Sequence, residues 1–216
     1  MLDSKLAPAY EAAGLIFHHR PMDRSAIDEV CVLDVYGLKD RQLSGTVIDV
    51  GAHIGSFSMM VKRLFPHVHV IAFEPNVENI DLLERNCLEN GVEVSAYRLA
   101  VWGELQTMQV QGEGPTSYTV PGGDVFGITL DEVLEKHEEV DLLKLDCEGA
   151  EVSAILGAHP TTMHKIKSIV GEFHGLSDDW GQWARYLAAF FDLKIRAHDY
   201  PDHPYGGMFW GERRAV

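Results

Sequence analysis

The sequence predicts an α/β fold built on a mostly parallel sheet, and three observations carry that prediction. Short apolar runs of strand length recur along the chain, helical patterns lie between them, and several of those helices stop at a proline or glycine. The runs fall at residues 46–50, 68–73, 94–100, 142–145 and 166–173. Strands that alternate with helices need crossover connections, and crossovers set neighbouring strands parallel.

The helical stretches have readable ends. Residues 55–65 stop at Pro66, and residues 76–90 stop at Gly91, which can take the left-handed conformation that closes a helix. Thr129-Leu130-Asp131-Glu132 has the form of a capping box opening a helix to Lys136, and residues 148–156 close at Gly157. Residues 180–191 read as a further helix, with Trp180, Trp183 and Tyr186 on a packed face. Residues 193–197 and 208–210, the latter after a Gly206-Gly207 turn, are expected to pair as an antiparallel hairpin at one end of the sheet.

Before the first strand, residues 6–17 look helical and residues 30–36 form an apolar run. The expectation is one compact domain: an N-terminal helix/strand extension over 1–45, placed to act as a lid or substrate-side wall, and the main unit over 46–216. The glycine-rich segment 111–127 reads as a turn-rich excursion and not as a linker.

Composition narrows the function classes. With 33 acidic against 18 basic side chains the net charge is −15, which repels a phosphate backbone and disfavours nucleic acid as a substrate. The apolar runs are too short to span a bilayer, and the first ten residues lack the basic-then-apolar order of a secretory signal. Cys31, Cys87 and Cys147 are far apart with no Cys-x-x-Cys pair, as expected of reduced thiols in a cytoplasmic protein.

The first strand runs into Val47-Ile48-Asp49-Val50-Gly51-Ala52-His53-Ile54-Gly55. Glycine has no Cβ, so such a turn lets a ligand approach the backbone. The spacing is G-x-x-x-G and not the G-x-G-x-x-G of dinucleotide enzymes. Asp49, two residues before the first glycine, would oppose a phosphate but suit a sulfonium and its ammonium group. Glu74 ends the second strand, where an acid can accept hydrogen bonds from both ribose hydroxyls. Either acid alone would equally fit a solvated strand end; their joint spacing favours a nucleoside cofactor.

A second cluster, Asp141-Leu142-Leu143-Lys144-Leu145-Asp146-Cys147-Glu148-Gly149-Ala150-Glu151, sets a lysine in an apolar strand and carboxylates just past its end. Together with the first loop it resembles the FkbM family of methyltransferases, whose strand-end Val-Ile-Asp-Val-Gly-Ala-x-x-Gly and later Lys-x-Asp-x-Glu-Gly-Ala-Glu both occur here in order. The resemblance extends through Phe73-Glu74-Pro75-Asn76, Ala100-Val101-Trp102-Gly103, Thr129-Leu130-Asp131 and Val170-Gly171-Glu172-Phe173-His174. His53 and Trp102 depart from the family's commoner residues.

The resemblance implies a Rossmann-like class I methyltransferase fold: a mostly parallel seven-stranded sheet, a C-terminal antiparallel hairpin strand and helices on both faces. It further implies S-adenosylmethionine as methyl donor and a hydroxyl acceptor on a small molecule or carbohydrate. The cofactor contacts expected on this reading are Asp49, Gly51, Ala52, His53, Gly55, Glu74, Pro75, Ala100 and Asp146.

A hydroxyl acceptor must lose its proton. His174, Asp146, Glu148 and Glu172 all fall at or past strand ends, and His174 is the first choice of base because an unperturbed imidazole titrates at about 6.5. Lys144 is expected in an ion pair with Asp146 or Glu172, with substrate contact second. Asp146, Glu148, Glu172 and His174 would also suit Mg²⁺ or Mn²⁺, but hydrogen bonding is the favoured reading and no metal is assigned. The alternatives are a non-catalytic cofactor-binding module, a nicotinamide-dependent oxidoreductase and an RNA methyltransferase.

Overall fold

The computed structural model describes residues 5–174, 180–197 and 206–215. The chain opens on β1 (Tyr10–Ala12) and β2 (Leu15–Phe17), then α1 (Arg24–Cys31). The expected helix over 6–17 is thus a β-hairpin. Ala13 and Gly14 both take positive φ, 52° and 74°, the requirement of a two-residue hairpin turn. Leu15 and Phe17 point inward and Ile16 outward, a period of two and not 3.6. The apolar run at 30–36 is split: Val30 and Cys31 close α1, and Tyr36 lies buried beyond it.

Then come β3 (Thr46–Val50), α2 (Ser56–Leu64), β4 (His69–Phe73), α3 (Val77–Asn90) and β5 (Ser95–Tyr97). Asn76 caps α3 by accepting the Glu78 N–H, and Gly91 ends it at φ 61°. Asn86 and Asn90 on α3 hold the N-terminal hairpin, exchanging hydrogen bonds with the backbone of Ile16 and His18.

The single strand expected over 94–100 is two. After β5 the chain leaves the main sheet, and β6 (Ala100–Val101) starts a four-stranded sheet with β7 (Gln106–Gln111), β8 (Tyr118–Pro121) and β9 (Val125–Ile128), in the order β6-β9-β7-β8. The turn-rich segment over 111–127 supplies β8 and most of β9, with a 3-10 turn at Gly114–Thr116 before them.

The Thr129 capping box forms, but α4 (Leu130–Val133) is only four residues long. Then follow β10 (Val140–Leu145), α5 (Glu151–Gly157), α6 (Pro160–Met163), β11 (Ile166–His174), α7 (Trp180–Phe190), β12 (Phe191–Ala197) and β13 (Gly206–Arg213). The helix expected from Glu148 starts at Glu151, because Glu148 and Gly149 take φ of 55° and 103° and turn the chain first. Gly206 and Gly207 belong to β13 and are not a turn. Of the expected aromatic face, Trp183 is fully buried and the Tyr186 hydroxyl donates to the Ala158 carbonyl; the Trp180 side chain lies outside the described residues.

The main sheet has seven strands in the order β12-β13-β11-β10-β3-β4-β5. Pairings from β11 to β5 are parallel, while β13 runs antiparallel between β11 and β12. The last two strands therefore pair as expected, with the later one inserted inside the edge. Val47, Val70, Leu142 and Val170 pack on one face with α2 and α3. Ile48, Leu143, Leu145 and Ile169 pack on the other with α4, α5 and α7. Alternating inward contacts thus bury the sheet under helices on both faces, and the carboxyl ends of β3, β4, β10 and β11 share one edge.

Candidate active site

A cavity of about 260 Å³ opens along that edge. Val50, Gly51, Ala52 and His53 line it from the loop after β3, Glu74 and Pro75 from the end of β4, and Ala100 and Val101 from β6. Lys144, Asp146, Cys147 and Glu148 reach it from β10 and the turn after it, and Glu172 and His174 from the end of β11. The N-terminal segment contributes Ser25, Ala26, Glu29, Val30 and Tyr36, and residues 114–119 close a further side.

Two expected cofactor ligands lie elsewhere. Asp49 is fully buried and is not among the lining residues. Its Oδ2 accepts the Ser58 hydroxyl at 2.7 Å, and its Oδ1 lies 3.0 Å from Lys144 Nζ. A charge held this way anchors α2 and β10 to β3 and lies behind the cavity wall. Gly55 is also outside the lining, and a Cβ there would press on Leu83 of α3. Gly51 does line the cavity, yet a Cβ on it would lie 1.8 Å from the Asp146 carbonyl oxygen. Its bareness first admits the neighbouring strand, which brings the β10 carboxylates close to the loop.

Lys144 therefore pairs chiefly with Asp49, not with Asp146, whose Oδ2 is 3.9 Å away. Its ammonium also donates to the carbonyls of Gly51 and Val50 at 2.6 and 3.3 Å. Burial opposes the charge, but Asp49 and Asp146 outweigh it and raise the Lys144 pKa, so it stays charged.

Glu74 is nearly fully buried. Its Oε2 accepts the His53 N–H at 2.8 Å, and its Oε1 accepts the Asn76 N–H at 2.9 Å and the Asn79 side-chain amide at 3.2 Å. Burial raises its pKa, and these donors offset part of the rise. A buried carboxylate at a cavity wall with lone pairs to spare has the chemistry to accept a vicinal diol.

At the other end four carboxylates surround one imidazole. His174 Nδ1 lies 3.2 Å from the fully buried Glu151, which also accepts the N–H groups of Cys147 and Gly149. Its Nε2 faces Glu172, Glu148 and Asp146 at 3.5, 3.7 and 4.0 Å. Burial alone would lower the His174 pKa, but the Glu151 hydrogen bond and the charges of Glu151, Asp146 and Glu148 push it up to about 10. A pKa raised that far favours the imidazolium at neutral pH and counts against His174 as the base. Burial pushes Glu148 up to about 7, with neighbouring carboxylates adding to the rise and His174 opposing it. Asp146, Glu148 and His174 offer ligand atoms within 4.8 Å of one another, a spacing that would suit a divalent cation.

Tyr36 and the segment 114–119 were not singled out by motif. The Tyr36 hydroxyl donates to Asp146 Oδ2 at 2.6 Å, and its ring meets Phe57 edge-on. The only local signal for Tyr36 was its place at the end of an apolar run.

The family model described as the methyltransferase FkbM domain matches residues 49–201. The chain belongs to the FkbM methyltransferase family. Methyltransferase SdnD of Sordaria araneosa is 28% identical to this FkbM chain over 63% of it and 69% of its own length. The AMB antimetabolite synthetase AmbE of Pseudomonas aeruginosa is 26% identical over 92% of this chain, which spans only 11% of that relative. Among solved structures, a precorrin-6y C5,15-methyltransferase from Geobacter metallireducens superposes with a TM-score of 0.54 at 12% identity, covering 85% of this chain and 89% of its own. An rRNA methylase from Streptococcus thermophilus gives 0.54 at 10% identity, covering 86% and 96%. At such identities these structures establish the fold alone, a Rossmann-like methyltransferase fold. Family and fold together imply S-adenosylmethionine as the cofactor. Among the described residues no helix is long and apolar enough to cross a membrane.

Proposed function

We propose that this FkbM chain is a cytoplasmic O-methyltransferase that methylates a hydroxyl oxygen of a small molecule, sugar or glycan. The observation that carries the reading is the two-ended cavity: the buried acceptor Glu74 beside a glycine turn at one end, and Asp146, Glu148, Glu172 and His174 at the other.

The residues fit S-adenosylmethionine by the chemistry of the donor set. Glu74 would take the ribose hydroxyls, with Gly51, Ala52, His53, Pro75 and Ala100 forming the walls beside it and Asp146 leading toward the acceptor end. When bound, the cofactor supplies a methyl group already activated by its sulfonium, so the chain's own task is alignment, exclusion of water and removal of one proton.

Glu148 is the base in this reading: a carboxylate with a pKa of about 7 is part-ionised at neutral pH and close to the optimum for accepting a hydroxyl proton. The acceptor oxygen gains the methyl group and its proton goes to the Glu148 carboxylate. His174, held as a cation, offsets the surrounding carboxylates, and Glu172 and Asp146 are placed to orient the hydroxyl. A wall this rich in carboxylates favours a neutral polyhydroxylated acceptor over a phosphorylated or carboxylated one, and the net charge of −15 disfavours RNA.

The test is transfer of labelled methyl from S-adenosylmethionine to a panel of sugars, glycosides and hydroxylated natural products, with amines and transfer RNA alongside. Label in a methyl ether, lost in Glu148→Gln, supports the reading. Label only in amines or RNA overturns it.

A further inference from the structure

We propose that Arg20 and Asn79 are positioning residues for Glu74, so that the N-terminal segment, outside the span matched by the family model, builds the cofactor end of the cavity. This rests on the reading of Glu74 as the carboxylate that takes the ribose hydroxyls.

The direction of the hydrogen bonds fixes the orientation of the Asn79 amide. A guanidinium donates and cannot accept, whereas a side-chain amide can present either its oxygen or its nitrogen. Arg20 Nη2 meets Asn79 Oδ1 at 2.6 Å, so the oxygen of Asn79 must face Arg20 and its NH₂ must face away. That NH₂ reaches Glu74 Oε1 at 3.2 Å, and the Gly114 carbonyl and Ser117 hydroxyl at 3.3 Å each. One amide thus ties the acid to the segment that closes the cavity. Were it turned over, its oxygen would oppose the carboxylate.

Arg20 is itself fixed. Asp23 takes its Nε and Nη2 at 2.9 Å each, a two-point grip between buried partners. The same Asp23 lies 2.9 Å from His53 Nε2, and the His53 backbone N–H donates to Glu74 Oε2. Each oxygen of Glu74 therefore takes a hydrogen bond that leads back to the Arg20–Asp23 pair, Oε1 by way of Asn79 and Oε2 by way of His53, while the Asn76 N–H also holds Oε1. Asn79 lines the cavity beside Glu74 whereas Arg20 lies behind it, and in the described hydrogen bonds neither meets Asp146, Glu148, Glu172 or His174.

The experiment is a thermodynamic cycle by calorimetry, using S-adenosylhomocysteine and its analogue lacking the ribose 2′-hydroxyl. The unmodified protein should prefer the full nucleoside by roughly tenfold or more, the worth of a hydrogen bond to a charged group. Glu74→Gln should erase most of that preference. In Asn79→Leu the preference should shrink to within about threefold. Arg20→Gln, which can offer Asn79 either an oxygen or an amide, provides a second variant should the leucine not fold and should shrink it likewise. Equal weakening of both ligands, with the preference intact in both variants, overturns the positioning role and leaves Glu74 standing. No preference in the unmodified protein removes the ribose reading, and this proposal with it.

Discussion

Lys144 and Asp49 stand opposite each other in the parallel register of β10 and β3, with ammonium and carboxylate 3.0 Å apart and both side chains buried. A buried pair is costly to break from one side, because the remaining charge is stranded. Asp49→Asn and Lys144→Met should each destabilise the fold by about 3 kcal/mol or more, while the double substitution Asp49→Leu with Lys144→Met should recover much of the loss. Thermal or urea denaturation measures this. Single variants as stable as the parent would refute the pair as an anchor of the sheet.

Glu148 makes the rate depend on pH in a fixed direction. Its carboxyl is pushed up to about 7, so below that value it is protonated and cannot accept a proton. Turnover should rise as pH increases through about 7, and Glu148→Gln should lose both turnover and this acid limb while keeping cofactor affinity. A pH–rate profile with the same limb in Glu148→Gln would assign the base elsewhere.

Tyr36 tests whether the N-terminal segment reaches the acceptor end. Its hydroxyl donates to Asp146 at 2.6 Å, so Tyr36→Phe removes a hydrogen bond to a charged group and keeps the ring against Phe57. Acceptor turnover should fall roughly tenfold, with S-adenosylhomocysteine affinity changed by less than about threefold. A fall in cofactor affinity as large as the fall in turnover would place Asp146 on the cofactor instead.

Much of this was legible because it is local. Gly91 ends α3 with the positive φ expected of it, and the Thr129 box caps α4 with its own neighbours. The N-terminal hairpin was missed because its turn uses Ala13 at φ 52°, where alanine gives no warning, and two three-residue strands leave too short an alternation to beat a helical reading. The site was legible as a set of motifs but not as a division of labour. Asp49 and Glu74 look equivalent along the chain; only the sheet puts Lys144 against one and the cavity against the other. The surroundings of His174 were hidden for the same reason: Glu151, 23 residues away, comes within hydrogen-bond distance of its ring only in the fold. Arg20 and Asn79 carry no motif, and their role exists only once the hairpin folds back on α3.

The His174 cluster also leaves a signature in stability. Its imidazole is raised from 6.5 to about 10 in the folded chain, so folding favours the protonated form. That stabilisation is fully present below about pH 6.5 and is lost as pH rises through about 10. His174→Asn, which cannot titrate, should therefore melt below the parent by the widest margin at pH 6 or lower, and the gap should narrow steadily toward pH 10. Scanning calorimetry across that range, with and without chelator, decides the point. A gap that is constant with pH would show that the imidazole pKa does not change on folding and would return His174 to candidacy as the base. A gap that appears only when divalent metal is present would replace the imidazolium with a metal ion at the centre of the cluster.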